Sequence, residues 1–177
     1  MAKILAFAGS NSSTSINYQL VKYTASLIEN HEIQLMNMSN YPFPMYSEDA
    51  EKKEGFSNSL IEFKNDIAKC DGILLAVNEH NSNPSAYFKN VLDWLSRLER
   101  KFMEGKRVLL MSTSPGKRGG IGSLGVVEAL LPRFGAEIAA TFSLPSFAQN
   151  FDVEQGISNE EVAQSLEAAL TRFLKGL

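Results

Sequence analysis

Apolar and polar positions along the chain alternate between two kinds of pattern. Short, apolar-rich runs occupy Ile4–Ala8, Glu32–Asn37, Gly72–Val77, Arg107–Thr113 and Glu137–Phe142. The first, third and fourth are nearly continuous, as expected for strands covered on both faces. Between them, apolar residues recur at helical spacing: Ile16, Leu20, Tyr23 and Leu27; Phe56, Leu60, Phe63 and Ile67; Phe88, Val91, Leu92 and Leu95; Leu124, Val127, Leu131 and Phe134. A last stripe, Val162, Leu166, Ala169 and Phe173, follows a Ser158/Glu161 pair spaced as a capping box.

Strict strand–helix alternation predicts a parallel sheet with right-handed crossovers and helices on both faces. Five strands suit a single α/β domain over residues 1–177, a flavodoxin-like three-layer sandwich of order 2-1-3-4-5. Ligands of such sheets sit outside the carboxyl ends of the strands, so the loops after the first, third and fourth strands are where chemistry is expected. The stretch Met38–Gly55, with Pro42 and Pro44, reads as one long loop.

Composition narrows the function without redrawing the fold. The 177 residues are 44% hydrophobic and 21% charged, ordinary for a soluble globular protein. The net charge is −3 with both signs interspersed, so no basic stripe points to nucleic acid or a membrane surface. The apolar start Ile4–Ala8 is too short for a signal peptide or a membrane span, and a cytoplasmic protein is expected. A lone cysteine, Cys70, excludes an internal disulfide and a CxxC pair, and its place on an amphipathic segment reads as a small buried hydrophobe.

The loop after the first strand, Gly9–Asn17, carries five hydroxyls, two amides and no charge where it opens a helix. Hydroxyls, amides and unpaired backbone N–H groups at a positive helix end suit a terminal phosphate; the plainer role is capping, for which one residue suffices. The third-strand loop, Asn78-Glu79-His80-Asn81-Ser82-Asn83-Pro84, offers polar peptide groups to a planar heteroaromatic edge, and His80 an imidazole that can stack or stay solvated. The fourth-strand loop, Ser112-Thr-Ser-Pro-Gly-Lys-Arg-Gly-Gly120, lets the backbone approach a ligand, while Lys117 and Arg118 can meet nicotinamide phosphates or remain solvated.

Other chemistries fail on inventory. Gly120–Gly125 matches GxGxxG but follows the fourth strand, and Glu137, the nearest later acid at about the right distance, begins the next strand, so close helix packing is the expected role. There is no GxSxG elbow, no P-loop, and no His/Cys/carboxylate cluster at metal-ligand spacing.

Taken together, the three loops resemble the NADPH-dependent FMN reductase family, with its related quinone, azo-dye and chromate reductases. The family's first loop runs Gly-Ser-x-Arg-x-x-Ser-x-Asn; Gly9, Ser10, Ser15 and Asn17 fall in register, with Ser12 at the arginine position. Glu79, Asn81, Lys89, Asn90, Asp93, Trp94, Ser96 and Arg97 match its Pro-Glu-Tyr-Asn and Lys-Asn-x-x-Asp-Trp-x-Ser-Arg segments, with Asn78 and His80 departing. Pro44 and Tyr46 resemble its Leu-Pro-x-Tyr stretch, and Ser112–Gly116 its flavin-edge loop.

The resemblance implies an FMN phosphate held by Ser10, Ser12, Ser15, Ile16 and Asn17. It further implies an isoalloxazine lined by Asn78, Glu79, His80 and Asn81 and closed over by Ser112, Ser114, Pro115, Gly116 and Gly119. The implied activity is hydride transfer from NADPH or NADH through FMN to a small-molecule acceptor, with no catalytic side chain required. The alternatives are a flavodoxin-type electron carrier and a non-catalytic flavin-binding or scaffold protein. A second stripe on the third helix, Tyr87, Asn90, Trp94 and Arg97, reads as an interface, and with the resemblance predicts a homodimer or homotetramer.

Overall fold

The computed structural model describes all residues, 1–177. Its five long strands are β1 (Lys3–Ala8), β2 (Glu32–Met36), β3 (Gly72–Val77), β4 (Arg107–Thr113) and β5 (Glu137–Leu144). All pair in parallel, in the spatial order β2-β1-β3-β4-β5. This is the flavodoxin-like order expected from the alternating pattern.

Helices α1 (Ile16–Ser26), α2 (Glu48–Glu54), α3 (Asn58–Lys69), α4 (Ala86–Leu98), α5 (Ile121–Leu130) and α6 (Glu160–Leu174) complete the layers. Successive β1 side chains feed two separate cores. Leu5 and Phe7 pack with α3, α4 and α5, whereas Ile4, Ala6 and Ala8 pack with α1 and α6. Every residue of central β3 is buried, which is why its sequence shows no alternation. No helix is long and apolar enough to cross a membrane.

Cys70 is buried at the end of α3, its thiol donating to the Ile67 carbonyl at 3.2 Å. Burial pushes this thiol up to about 11, with Lys106 pulling the other way. It is an inert packing group.

Three expectations need correction. The stretch Met38–Gly55 is not one loop: it holds a 3-10 turn over Met38–Asn40, capped by Asn37, and the helix α2, capped by Ser47. Helix α6 is capped by Asn159, whose Oδ1 accepts from the Val162 N–H at 3.1 Å, rather than by a Ser158/Glu161 box. Third, the second stripe of α4 is occupied within the chain.

Each residue of that stripe bonds to the segment running over it. Tyr87 Oη donates to the Met38 and Tyr41 carbonyls at 3.2 and 2.8 Å. The Asn90 amide accepts from the Tyr46 N–H at 2.7 Å and donates to the Pro44 carbonyl at 2.9 Å. Trp94 Nε1 donates to the same carbonyl at 2.8 Å, and Arg97 grips the Glu51 carboxylate through Nε and Nη2 at 2.8 and 3.1 Å. Arg97, and then the Tyr46 hydroxyl, hold the Glu51 carboxyl below the usual range. Tyr87, Trp94 and Arg97 therefore form a clasp for residues 38–55, and the aromatic face is not free to serve as an interface.

Candidate functional site

A cleft of about 530 Å³ opens at the carboxyl ends of β1, β3 and β4, within the usual range for small-molecule sites. It lies where β1 and β3 lead to helices on opposite faces of the sheet. This is the topological switch point at which open α/β sheets bind ligands.

Two helices aim their N-termini into it. Ser15 caps α1, its Oγ accepting from the Tyr18 N–H at 3.2 Å. The N–H groups of Ile16 and Asn17, in the first turn, have no partner within the chain. Ser85 caps α4: its Oγ accepts from the Phe88 N–H at 3.1 Å and donates to the Gly9 carbonyl at 3.0 Å. The two positive dipole ends favour an anionic ligand. The approach of α4 explains Gly9, since a Cβ there would meet Phe88 Cδ2 at 2.5 Å.

The first loop is folded on its own hydroxyls. Ser10 Oγ accepts from the Ser12 N–H, and Ser12 Oγ from the Thr14 N–H, both at 3.3 Å. Ser12 Oγ also lies 3.3 Å from Thr14 Oγ1, so the hydroxyls of this loop bond to one another, while Ser10 Oγ keeps its proton available for a ligand. Asn17 behaves differently from expectation. Its Nδ2 donates to the Thr113 carbonyl at 3.1 Å and its Oδ1 accepts from the Thr113 N–H at 3.0 Å. The side chain is thus a buried brace between α1 and β4, and of the polar groups of Asn17 only the backbone N–H is left without a partner at the start of α1.

At the other end, Glu79–His80 and Asn83–Pro84 pair as a two-residue hairpin. Asn81 and Ser82 turn it with φ of 53° and 61°, the left-handed pair of a type I′ turn. Asn78, Glu79 and His80 line the cleft; Asn81, at the exposed tip, does not. Asn78 Nδ2 lies 3.2 Å from His80 Nε2, and Asn78 Oδ1 is buried without a hydrogen-bond partner. An orphaned acceptor is costly, and a ligand carrying an N–H donor offsets that cost.

The fourth-strand loop also divides. Ser114 and Pro115 line the cleft, whereas Ser112 and Gly119 are buried behind it and Gly116 is exposed outside its walls. Ser112 is fully buried, its Oγ donating to the Gly119 carbonyl at 2.7 Å, and the Gly116 carbonyl accepts from Ser146 N–H at 2.9 Å. Gly119 and Gly120 both have positive φ and fold the loop back onto the sheet. Lys117 and Arg118 are exposed and outside the walls. In the GxGxxG run, Gly120 approaches Ser112 at the sheet, Gly122 packs under the hairpin, and Gly125 faces open space.

The cleft walls contain no lysine or arginine, and their one carboxylate, Glu79, accepts from the Ser123 N–H at 3.0 Å. Ser85, Tyr87 and Thr113 also line the walls, although the sequence reading did not select them. Ser85 had a readable signal, a cap residue after Pro84 and before an apolar run. Burial pushes the Tyr87 hydroxyl well above the usual tyrosine range, so it stays neutral.

Fold and cleft together define a flavodoxin-like α/β protein with an open cleft at its switch point, lined by the starts of two helices. The chain belongs to the NADPH-dependent FMN reductase family, whose model matches residues 2–151. It is 35% identical over 77 residues to a quinone reductase of Escherichia coli, a match covering 44% of this chain and 41% of that protein's length. An NADPH:quinone oxidoreductase of Arabidopsis thaliana is 27% identical over 179 residues, covering 96% of this chain and 89% of the relative. In fold it is similar to the flavoenzyme NAD(P)H:(acceptor) oxidoreductase FerB of Paracoccus denitrificans, at a TM-score of 0.79 and 22% identity over 99% and 96% of the two chains.

Proposed function

We propose that this protein is an FMN-dependent NAD(P)H oxidoreductase that reduces flavins, quinones or similar small acceptors. The observation that carries this reading is the convergence of two helix N-termini and a charge-free hydroxyl loop on an open cleft, in a chain of this family.

In this reading the hydroxyls of Ser10, Ser12 and Ser15 and the N–H groups of Ile16 and Asn17 hold the FMN phosphate. Asn78 and His80 line one edge of the isoalloxazine, and Ser114 and Pro115 the other. The buried Asn78 Oδ1 suits a heteroaromatic ring with an N–H at its edge. FMN held there would supply the redox chemistry, hydride transfer from NADH or NADPH and onward reduction of a small acceptor. The residues position the ring, tune it with hydrogen bonds and leave the open side of the cleft for donor and acceptor in turn. A homodimer or homotetramer remains part of the proposal, through a surface other than the α4 clasp. Light scattering after size exclusion tests it, and a monomer mass would count against it.

The protein loaded with FMN and mixed anaerobically with NADPH should lose its oxidised-flavin absorbance, and a quinone should restore it. Bound flavin that neither NADPH nor NADH reduces would favour an electron carrier. Failure to bind FMN would sink both readings. Ser12→Arg is expected to tighten FMN binding about tenfold, because a charge-assisted contact replaces a neutral one. Riboflavin binding, measured alongside by fluorescence quenching, should stay unchanged. Equal FMN affinity in both proteins would place the phosphate elsewhere.

A further inference from the structure

Helix α5 starts without a cap of its own. Its N-cap position is Gly120, in the left-handed conformation, with no side chain to accept from the first-turn N–H groups. The missing acceptor comes from 44 residues away: Glu79 Oε2 accepts from the Ser123 N–H at 3.0 Å. The exchange is reciprocal, since Ser123 Oγ, fully buried, donates to the Asn78 carbonyl at 2.9 Å. Gly122 makes the approach possible: a Cβ there would lie 2.7 Å from Glu79 Oε2 and 3.0 Å from the Ser82 carbonyl.

We propose that Glu79 and Ser123 are positioning residues, joining the hairpin after β3 to the start of α5, and with it to the glycine-rich loop that α5 follows, as one rigid wall. The inference rests on reading the cleft as a flavin site. It departs from the expectation that Glu79 faces the ring, because its carboxylate acts through the helix end. A carboxylate at a helix N-terminus meets the positive dipole end and an unpaired N–H, so its charge is spent locally. The wall so formed carries Asn78 and His80 from one strand end and Ser114 and Pro115 from the next.

The test compares Glu79→Gln, Glu79→Ala and Ser123→Ala with the wild type, using FMN and riboflavin as ligands and the reduction potential of bound FMN as a second readout. Glu79→Ala should weaken both flavins about tenfold and by the same factor, because the ring end loosens and the phosphate end is untouched. Ser123→Ala should weaken both by about threefold. Glu79→Gln keeps an oxygen that accepts from the Ser123 N–H, and should bind both flavins within about threefold of wild type with an unchanged potential. A Gln variant as weak as the Ala variant, or one whose potential rises with loss of the charge, would overturn the proposal in favour of direct action on the flavin. Loss confined to FMN would overturn it too. If the wild type binds neither flavin, the flavin reading itself falls, a result distinct from the others.

Discussion

Trp94→Ala is expected to cost about 3–5 kcal/mol of folding stability, the largest effect of any single side chain in the clasp. The indole is only 4% exposed and meets Tyr46 and Phe56 edge-on, at centroid distances of 5.0 and 6.1 Å. Removing it leaves a cavity at the centre of the clasp and takes one of two side-chain donors from the Pro44 carbonyl, the other being Asn90 Nδ2. Trp94→Phe retains much of the packing but not the donor, and should cost about 1–2 kcal/mol. Denaturant unfolding gives the energies, and limited proteolysis should cut the alanine variant first between residues 41 and 55. A variant of unchanged stability would show that Tyr87, Asn90 and Arg97 hold the segment without the indole.

Asn17→Ala should cost about 2–4 kcal/mol, because it strands two buried backbone groups of Thr113, the N–H and the carbonyl. Flavin binding should weaken with it, since the brace sets the first-turn N–H groups of α1 against the end of β4. Asn17→Asp gives a sharper test through pH. An ionised carboxylate accepts from the Thr113 N–H but faces the Thr113 carbonyl without a donor. Burial and that carbonyl raise its folded pKa above the unfolded value of about 3.9. Protonated, the side chain donates and accepts as asparagine does. Its stabilising contribution is therefore complete below about pH 4 and is lost as pH rises through the folded pKa. Urea midpoints from pH 3 to pH 7 check the sign. If Asn17→Asp were as stable at pH 7 as the wild type, the brace would be of little consequence.

The clasp and the brace show how far the sequence alone reaches. Strand and helix periods depend on neighbours two to four residues apart, so β1, β3, β4 and the five long helices were legible, and strict alternation implied the sheet order. That the hydroxyl loop would line the cleft was legible because a helix start after a strand sits at the carboxyl end of the sheet whatever the rest of the chain does. A helix with a second, aromatic-bearing stripe, however, reads the same whether that stripe meets another molecule or a distant part of its own chain. Only the tertiary structure decides that. Asn90 meets Tyr46 across 44 residues, and Trp94 meets Pro44 across 50. The short helix α2 buries no residue and shows no apolar period, which hid it inside a presumed loop.

The same division runs through the cleft. The sequence by itself determined the α/β sandwich, the three loops that could carry chemistry, and the resemblance written in Gly9–Asn17 and Glu79–Arg97. Only the tertiary structure decided that the Asn17 amide braces Thr113, that Glu79 caps α5, and that Ser112 and Gly119 stand behind the wall they support. The reason is directional. A polar residue type fixes what a side chain can bond, but which of its possible partners it faces depends on backbone groups brought together from across the chain, as with Asn17 and Thr113, 96 positions apart.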